Sequence, residues 1–289
     1  MDEQLDGVTA VDREVALGDV RLHCVEAGLG PLVLLLHGMP QFWYAWRHQM
    51  PVLANAGFRV VAPDLRGFNL SSKPSGISAY RQDVVAEDVA RLIPALGAER
   101  ATVVGHDMGG EIAWPFAAAH PGLVERLVIL DAPHPQRLAA ALQTKAQRQR
   151  SSYMYFFQLP ALPEWFLRRN NFAAYRKMFA ADPVRPDAFT EKDIQRYVAS
   201  WSVPGALTAS INYYRAGMRT KSTAQLAPIT VPVMVLWGED DHFLPSDLAA
   251  PDPQLVPNCR VEIIQQCSHW IAEDQPERVN ERLLAFLRT

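Results

Sequence analysis

Short apolar runs alternate with longer amphipathic segments through the first half of the chain. Residues Val20–Val25 alternate apolar with polar and predict an antiparallel strand, whereas Leu32–Leu36 is a continuous aliphatic run typical of a strand buried on both faces. Further runs predict strands at Arg59–Ala62, Ala101–Val104 and Val124–Leu130, and the patterns between them predict helices over Trp43–Ala56, Tyr80–Leu96 and Ile112–Ala119. Strands that alternate with helices indicate a doubly wound parallel sheet.

This alternation stops near residue 133. Between Pro133 and Ala224 the sequence becomes helical, aromatic and polar, which predicts an all-helical cap inserted between two strands of the sheet. Strand character resumes at Val231–Trp237 and at Arg260–Ile264, and a helix over Pro276–Leu287 closes the pattern. We therefore predict a core domain of residues 1–132 and 225–289 and a cap domain of residues 133–224.

Composition narrows the class of protein. The 289 residues are 49% hydrophobic and 20% charged, which suits one large α/β domain. The formal net charge of -3, without long charge runs, predicts neither nucleic acid nor a membrane as a partner. The acidic first residues lack an apolar stretch, and no segment approaches the roughly 20 apolar residues of a membrane span, so we expect a cytoplasmic protein. Cys24, Cys259 and Cys267 lack metal-ligand spacing and predict reduced thiols.

Asp107 is the residue with the most specific chemical meaning. It stands in Gly-His-Asp-Met-Gly-Gly over residues 105–110, between a predicted strand and a predicted helix, which is the context of a nucleophile elbow with aspartate in the nucleophile position. A carboxylate that attacks an sp3 carbon forms an ester of the enzyme, which water must then cleave. The segment therefore favours epoxides or alkyl halides as substrates. The same pattern is also compatible with a polar turn at a helix start.

Ester cleavage needs a base, and His269 is the strongest candidate. It follows the last predicted strand, its imidazole can accept a proton near neutral pH, and the order nucleophile, acid, histidine is that of hydrolases with this elbow. Asp241 is our first choice for the acid that orients the imidazole, while Asp131, at another strand end, is the alternative. We interpret Glu239 and Asp240 as turn or solvated residues.

Two further roles are assigned more weakly from the residues alone. The backbone N–H groups of Met39, in a His-Gly-Met-Pro turn that allows a cis proline bond, and of Met108 are candidates for an oxyanion hole. Tyr153 and Tyr214 in the cap are candidate acids for the oxygen that leaves the carbon, although isolated aromatic residues more often serve packing.

These segments together resemble the α/β-hydrolase family and, within it, the epoxide hydrolases. The similarity runs from residues 37–49 through residues 63–74 and the elbow to Ser268-His269-Trp270. The resemblance implies an α/β-hydrolase fold with a mostly parallel eight-stranded sheet, flanking helices and an inserted helical cap. It also implies that Tyr214, in Asn-Tyr-Tyr-Arg, and Tyr153 polarise an epoxide. Residues predicted to contact the substrate are His37, Trp43, Phe157 and Trp270.

Some positions depart from the related dehalogenases. Met108 stands where tryptophan is common in both epoxide hydrolases and haloalkane dehalogenases, and it has no side-chain N–H with which to hold a halide. Met108 and Glu111 also stand where fluoroacetate dehalogenases carry arginines. Asp131 keeps the dehalogenase alternative open, because that subfamily takes its acid from the same strand end. Met39 stands where phenylalanine is usual and affects the shape of the pocket.

The resulting hypothesis is an epoxide hydrolase that needs no cofactor or metal and converts a small hydrophobic epoxide to a vicinal diol. The alternatives are a haloalkane or haloacetate dehalogenase and a non-catalytic ligand receptor on the same fold. We expect a monomer or a homodimer.

Overall fold

A computed structural model describes residues 3–220 and 226–289. Within these residues nine strands form one sheet, ordered β1-β2-β3-β5-β4-β6-β7-β8-β9. The strands are β1 (Glu3–Leu5), β2 (Val8–Ala16), β3 (Arg21–Ala27), β4 (Leu32–Leu36), β5 (Arg59–Pro63), β6 (Ala101–His106), β7 (Val124–Leu130), β8 (Val233–Gly238) and β9 (Cys259–Ile264). All neighbours from β5 to β9 pair in parallel, while β1, β2 and β3 pair antiparallel.

Eleven α-helices accompany the sheet in the described ranges. They are α1 (Met50–Asn55), α2 (Gln82–Ala95), α3 (Met108–Ala119), α4 (Pro135–Ala141), α5 (Lys145–Arg150), α6 (Ser152–Phe156), α7 (Leu162–Ala181), α8 (Glu191–Ser202), α9 (Ala206–Arg219), α10 (Ile271–Asp274) and α11 (Pro276–Leu287). Helix α2 packs on α3, and α1 on α11. None of these helices is long and apolar enough to cross a membrane.

The predicted fold class is confirmed, and the strand count is nine rather than eight. Every residue of the central strands β4, β6 and β8 is buried, as their aliphatic runs predict. Strands β1 and β2 were not predicted, because most side chains of β2 are exposed and leave no clean alternation. They form a hairpin through Asp6 and Gly7, both with positive φ, as a tight two-residue turn requires.

The structure corrects one predicted helix, and one predicted domain boundary lies outside the residues that the structure describes. The helix predicted over Trp43–Ala56 is instead a 3-10 turn, Trp43–Trp46, followed by α1, since Pro51 starts a new helix at its first turn. Six helices, α4 to α9, lie between β7 and β8, where the cap is predicted. The predicted boundary between residues 224 and 225 lies outside the described residues.

Candidate active site

Asp107 is the single residue between β6 and α3, and it forms a sharp turn. Its φ of +49° and ψ of -120° lie outside the regions that side chains with a Cβ normally adopt. The neighbouring glycines leave the space that this turn needs, because a Cβ at Gly109 would lie 2.2 Å from the carbonyl oxygen of Leu36. The elbow therefore holds the carboxylate out from the sheet at the end of a fully buried strand.

The two carboxylate oxygens of Asp107 have different partners. Oδ1 accepts a 2.8 Å hydrogen bond from the backbone N–H of Met39, and Oδ2 lies 3.4 Å from Nε2 of His269. Only glycine fits at residue 38, since a Cβ there would lie 2.6 Å from Oδ1. Burial alone would raise the pKa of Asp107, but His269 and the Met39 N–H outweigh burial and lower it. The group is thus held as an ionised carboxylate.

His269 lies between two carboxylates. Its Nδ1 donates to Oδ2 of Asp241 at 2.7 Å, while Oδ1 of Asp241 accepts the backbone N–H groups of Phe243 and Leu244 at 2.7 and 2.8 Å. These three bonds fix the Asp241 carboxylate and, through it, the tautomer of the imidazole. Burial would lower the pKa of His269, but Asp241 and Asp107 together hold it well above its usual value.

Asp131 lies behind this pair and bonds elsewhere. Its Oδ1 accepts the backbone N–H of Gly238 at 2.7 Å, and its Oδ2 has no partner among the described residues. Burial, followed by the charge of Asp241, raises its pKa far above the usual range. The structure therefore places the hydrogen-bonded carboxylate of Asp241, and not the neutral acid of Asp131, on Nδ1 of His269.

Side chains of α6, α7 and α9, in the predicted cap, line an apolar cavity of about 250 Å³ next to these residues. Tyr153 from α6 and Tyr214 from α9 line it together with Asp107 and His269. The two tyrosine rings meet edge to face, with centroids 5.6 Å apart. Burial, and then the charge of Asp107 among other groups, raises the pKa of Tyr153, and the pKa of Tyr214 is raised by burial first and by Tyr153 next. Both phenols therefore keep their protons at neutral pH.

Three of the remaining predicted site residues line the cavity: Phe157, Trp270 and Met39. Met108 is the first residue of α3, so its backbone N–H needs no partner within that helix. The Met39–Pro40 peptide bond is cis.

The substrate-contact assignments of His37 and Trp43 are corrected by the structure. Nδ1 of the fully buried His37 donates to the carbonyl of Gly38, and Nε2 accepts the N–H of Leu65, so the ring braces the turn and does not line the cavity. Trp43 is buried outside the cavity, and its backbone N–H donates to Oδ1 of Asp64 at 3.0 Å. Motif proximity suggested a contact in both cases, but the side chains point into the core.

A buried polar chain behind His269 was not predicted. Nε2 of His106 donates to the carbonyl of His269 at 2.8 Å, and Nδ1 contacts the Gln41 amide at 3.1 Å. The other end of that amide lies 2.6 Å from Oε1 of Glu273, and Arg47 lies 3.5 Å from the same oxygen. The only sequence signal for this chain of contacts is that polar residues stand beside the elbow and shortly after His269.

One metal-ligand arrangement exists among the described residues. Ligand atoms of His106, Asp131 and His269 lie within 4.8 Å of one another. The ring nitrogens of both histidines already contact Gln41, Asp107, Asp241 and a backbone carbonyl, so a metal would have to displace these contacts. That the reaction needs no metal stays a prediction.

Cys267 is a weak nucleophile in this setting. All three cysteines are free, and Cys267 is buried. Burial raises the pKa of its thiol, which keeps the group protonated and unreactive.

Comparisons with known proteins agree with the fold. Residues 31–276 match the family profile of the alpha/beta hydrolase fold. The AB hydrolase superfamily protein YfhM of Bacillus subtilis is 40% identical over 98% of this chain and 99% of its own length. Epoxide hydrolase 4 of Mus musculus is 37% identical over 93% of this chain and 77% of its own length.

A solved structure of an epoxide hydrolase also matches this chain. A point mutant of an epoxide hydrolase from Bacillus megaterium, complexed with its product (R)-3-[1]naphthyloxy-propane-1,2-diol, matches with a TM-score of 0.88 and 34% identity. The match covers 96% of this chain and all of that chain. The fold and the elbow define a hydrolase of the α/β class. Within that class, the chain belongs to the epoxide hydrolase family.

Proposed function

We propose that this protein converts a hydrophobic epoxide to a vicinal diol through an ester of Asp107. The observation that carries the proposal is that a carboxylate nucleophile, an oriented imidazole and two neutral phenols line one cavity. The walls of that cavity are otherwise mostly apolar, which favours a substrate with few polar groups.

The first step is ring opening. Oδ2 of Asp107 attacks a ring carbon, because Asp107 lines the cavity and its Oδ1 is held by the Met39 N–H. The carbon–oxygen bond of the epoxide breaks, and the ring oxygen takes a proton from Tyr153 or Tyr214. The products of this step are an alkyl ester of Asp107 and one tyrosinate.

The second step is ester hydrolysis. Esterification removes the charge of Asp107, so His269 loses one of the two carboxylates that raise its pKa and becomes a competent base. It takes a proton from water, which attacks the ester carbon, and the negative charge develops on Oδ1 beside the Met39 and Met108 N–H groups. The acyl–oxygen bond then breaks, and His269 returns the proton to the leaving diol. The Asp107 proton returns to the tyrosinate through solvent.

Glu111 argues against a haloacetate as the substrate. It lies one helical turn after Asp107, with its N–H bonded to the Asp107 carbonyl at 2.9 Å, and its side chain bonds to Gln82. Where a carboxylate substrate needs cations, this position offers an acid.

The test combines turnover with trapping. Purified protein is given styrene oxide, and we expect styrene diol by chromatography. A His269→Gln variant should accumulate the ester, so that the intact mass rises by the mass of one epoxide and peptide mapping places the addition on Asp107. A haloalkane and haloacetate panel that releases halide while epoxides stay intact would favour a dehalogenase. Binding of styrene oxide with neither diol nor ester would favour a receptor.

A further inference from the structure

Exposed hydrophobic side chains are concentrated on one segment of the cap. Twelve large hydrophobic residues of the described chain are at least 37% exposed, and five of these lie between residues 155 and 166. All three aromatic residues among the twelve belong to this group. We call the five residues the entrance patch: Tyr155, Leu159, Leu162, Trp165 and Phe166, which are 44–57% exposed. A cluster of this kind on a globular domain marks an interaction surface.

The entrance patch is continuous with the wall of the cavity. Phe166 is 46% exposed and also lines the cavity, as do its neighbours Phe156 and Leu167. The rings of Phe156 and Phe166 meet edge to face with centroids 5.7 Å apart. The entrance patch and the cavity wall therefore share the side chain of Phe166.

The charge around the entrance patch differs from that of the whole chain. Residues 133–181 contain eight basic residues and one acidic residue, although the chain as a whole carries -3. That acid, Glu164, is neutralised by two hydrogen bonds from Arg215, at 2.7 and 3.1 Å. Arg168 and Arg169 are exposed beside the patch, and the Arg169 guanidinium lies 4.7 Å above the ring of Trp165.

We propose that the entrance patch docks on an anionic lipid surface. Aromatic and leucine side chains flanked by arginines are the composition with which proteins bind the interface of a membrane without spanning it. A second copy of the chain fits less well, because a two-fold contact through the patch brings Arg168 and Arg169 towards the same arginines of the other copy. The expectation of no membrane partner rested on the whole-chain charge, which conceals this local excess.

A consequence follows for the substrate, and it rests on the proposed function. The epoxide taken by the cavity would be a lipophilic one dissolved in the membrane, entering past Phe166. Docking itself needs no catalysis and is measured without an epoxide.

The test is co-sedimentation with vesicles of phosphatidylcholine alone or mixed with phosphatidylglycerol. We expect the full chain to sediment with the mixed vesicles at least tenfold more than with phosphatidylcholine, and to be released by salt. Leu162→Ser/Trp165→Ser and Arg168→Glu/Arg169→Glu should each lower this binding at least tenfold. None of these four residues lines the cavity, so diol production from a small water-soluble epoxide should persist.

Matched controls separate the patch from general effects. Val261→Ser/Ile263→Ser removes two side chains of β9 that are each 37% exposed, and Arg260→Glu/Arg288→Glu makes the same change of charge at two exposed arginines outside residues 133–181. Both controls should bind vesicles like the original chain. The proposal is overturned if the mixed vesicles bind no better than phosphatidylcholine, or if patch and control variants bind alike. It is also overturned if a lipid-free dimer is present and only the patch variants dissociate it, since a second copy then covers the patch. Vesicle binding without diol production would contradict the proposed function alone.

Discussion

The two halves of the site are built in different ways. The sheet-edge half, Asp107, Asp241 and His269, follows strand ends and is joined by hydrogen bonds and close ion pairs of 2.7 to 3.4 Å. The cap half, Tyr153 and Tyr214, comes from two helices and is held by ring contacts with centroids 5.2 to 6.3 Å apart. The difference follows from charge, since buried ions need bonded partners whereas neutral phenols can be held in apolar surroundings.

This contrast implies a division of labour between the two steps. Under the proposed function, ester hydrolysis uses the sheet-edge half together with the Met39 and Met108 N–H groups, and the cap half supplies only the proton for ring opening. Damage to the base and its acid should therefore let the ester accumulate, whereas damage to the cap should prevent the ester from forming.

The largest effect is expected for Asp241, the proposed acid that orients His269. Asp241→Asn should lower kcat by roughly 10³- to 10⁴-fold, because an amide disturbs the imidazole tautomer and no longer stabilises its charged form. The ester should accumulate, as intact-mass measurements would show. Asp131→Asn keeps an oxygen for the Gly238 N–H and should change kcat by less than about threefold. If Asp131→Asn lowered kcat strongly and Asp241→Asn did not, Asp131 would be the acid that orients His269.

A smaller loss is expected in the cap half. Tyr153→Phe and Tyr214→Phe should each lower the rate of ester formation roughly 10- to 100-fold, and the double variant roughly 10³-fold or more, because either phenol can protonate the ring oxygen. Tyr155→Phe, at a 50% exposed neighbour, is the matched control and should be unaffected. Rapid-quench measurement of the ester separates the steps. Accumulation of ester in the tyrosine variants would contradict the division of labour.

The polar chain behind His269 gives a test of stability. In the structure the oxygen of the Gln41 amide faces Nδ1 of His106, and its nitrogen donates to Glu273. A neutral His106 that donates through Nε2 must accept at Nδ1, which requires the amide to be turned over, so that its nitrogen donates to His106 and its oxygen accepts a proton from Glu273. Burial and then the charge of His269 lower the pKa of His106 to about 4, and burial, with Arg47 opposing, raises the pKa of Glu273 to about 7. Both shifts favour this arrangement. The stabilisation from Glu273 is then complete below pH 4.5 and is lost as the pH rises through about 7.

An exchange of the two side chains checks this account. Gln41→Glu alone brings two buried acids together and should lower the free energy of unfolding by about 1–3 kcal/mol. The double variant Gln41→Glu/Glu273→Gln should recover most of this loss, and Glu273→Gln alone should flatten the pH dependence of stability. Thermal unfolding between pH 5 and 8 measures both effects. Additive losses in the double variant would show that the two side chains do not act as a pair.

The smallest effect concerns Glu111. Burial and then the charge of Asp107 raise its pKa to about 7, so it ionises as the pH rises past neutral. The new negative charge makes the nearby phenols weaker acids, and ester formation should slow about two- to threefold between pH 6 and 8. Glu111→Gln should be free of this decline. If the variant showed the same decline as the original chain, ionisation of Glu111 would not be its cause.

The sheet-edge half was predictable because its signals are local. Asp107 follows a fully apolar strand and precedes a helix, so backbone pattern and chemistry coincide at one residue. Asp241 was the first choice for the acid, but Asp131 stayed an alternative, since both follow strands and only side-chain direction separates them. His37 was misassigned for the same reason, because its ring points towards Leu65 and away from the cavity. The hairpin of β1 and β2 lacked an alternating pattern.

The most direct test of the central claim is a single turnover of excess enzyme in water enriched in oxygen-18. If Asp107 forms the ester, the first diol takes its new oxygen from the carboxylate and carries no label, while peptide mass spectrometry finds one labelled oxygen on Asp107. A first diol that carries solvent oxygen, with Asp107 unlabelled, would contradict the account.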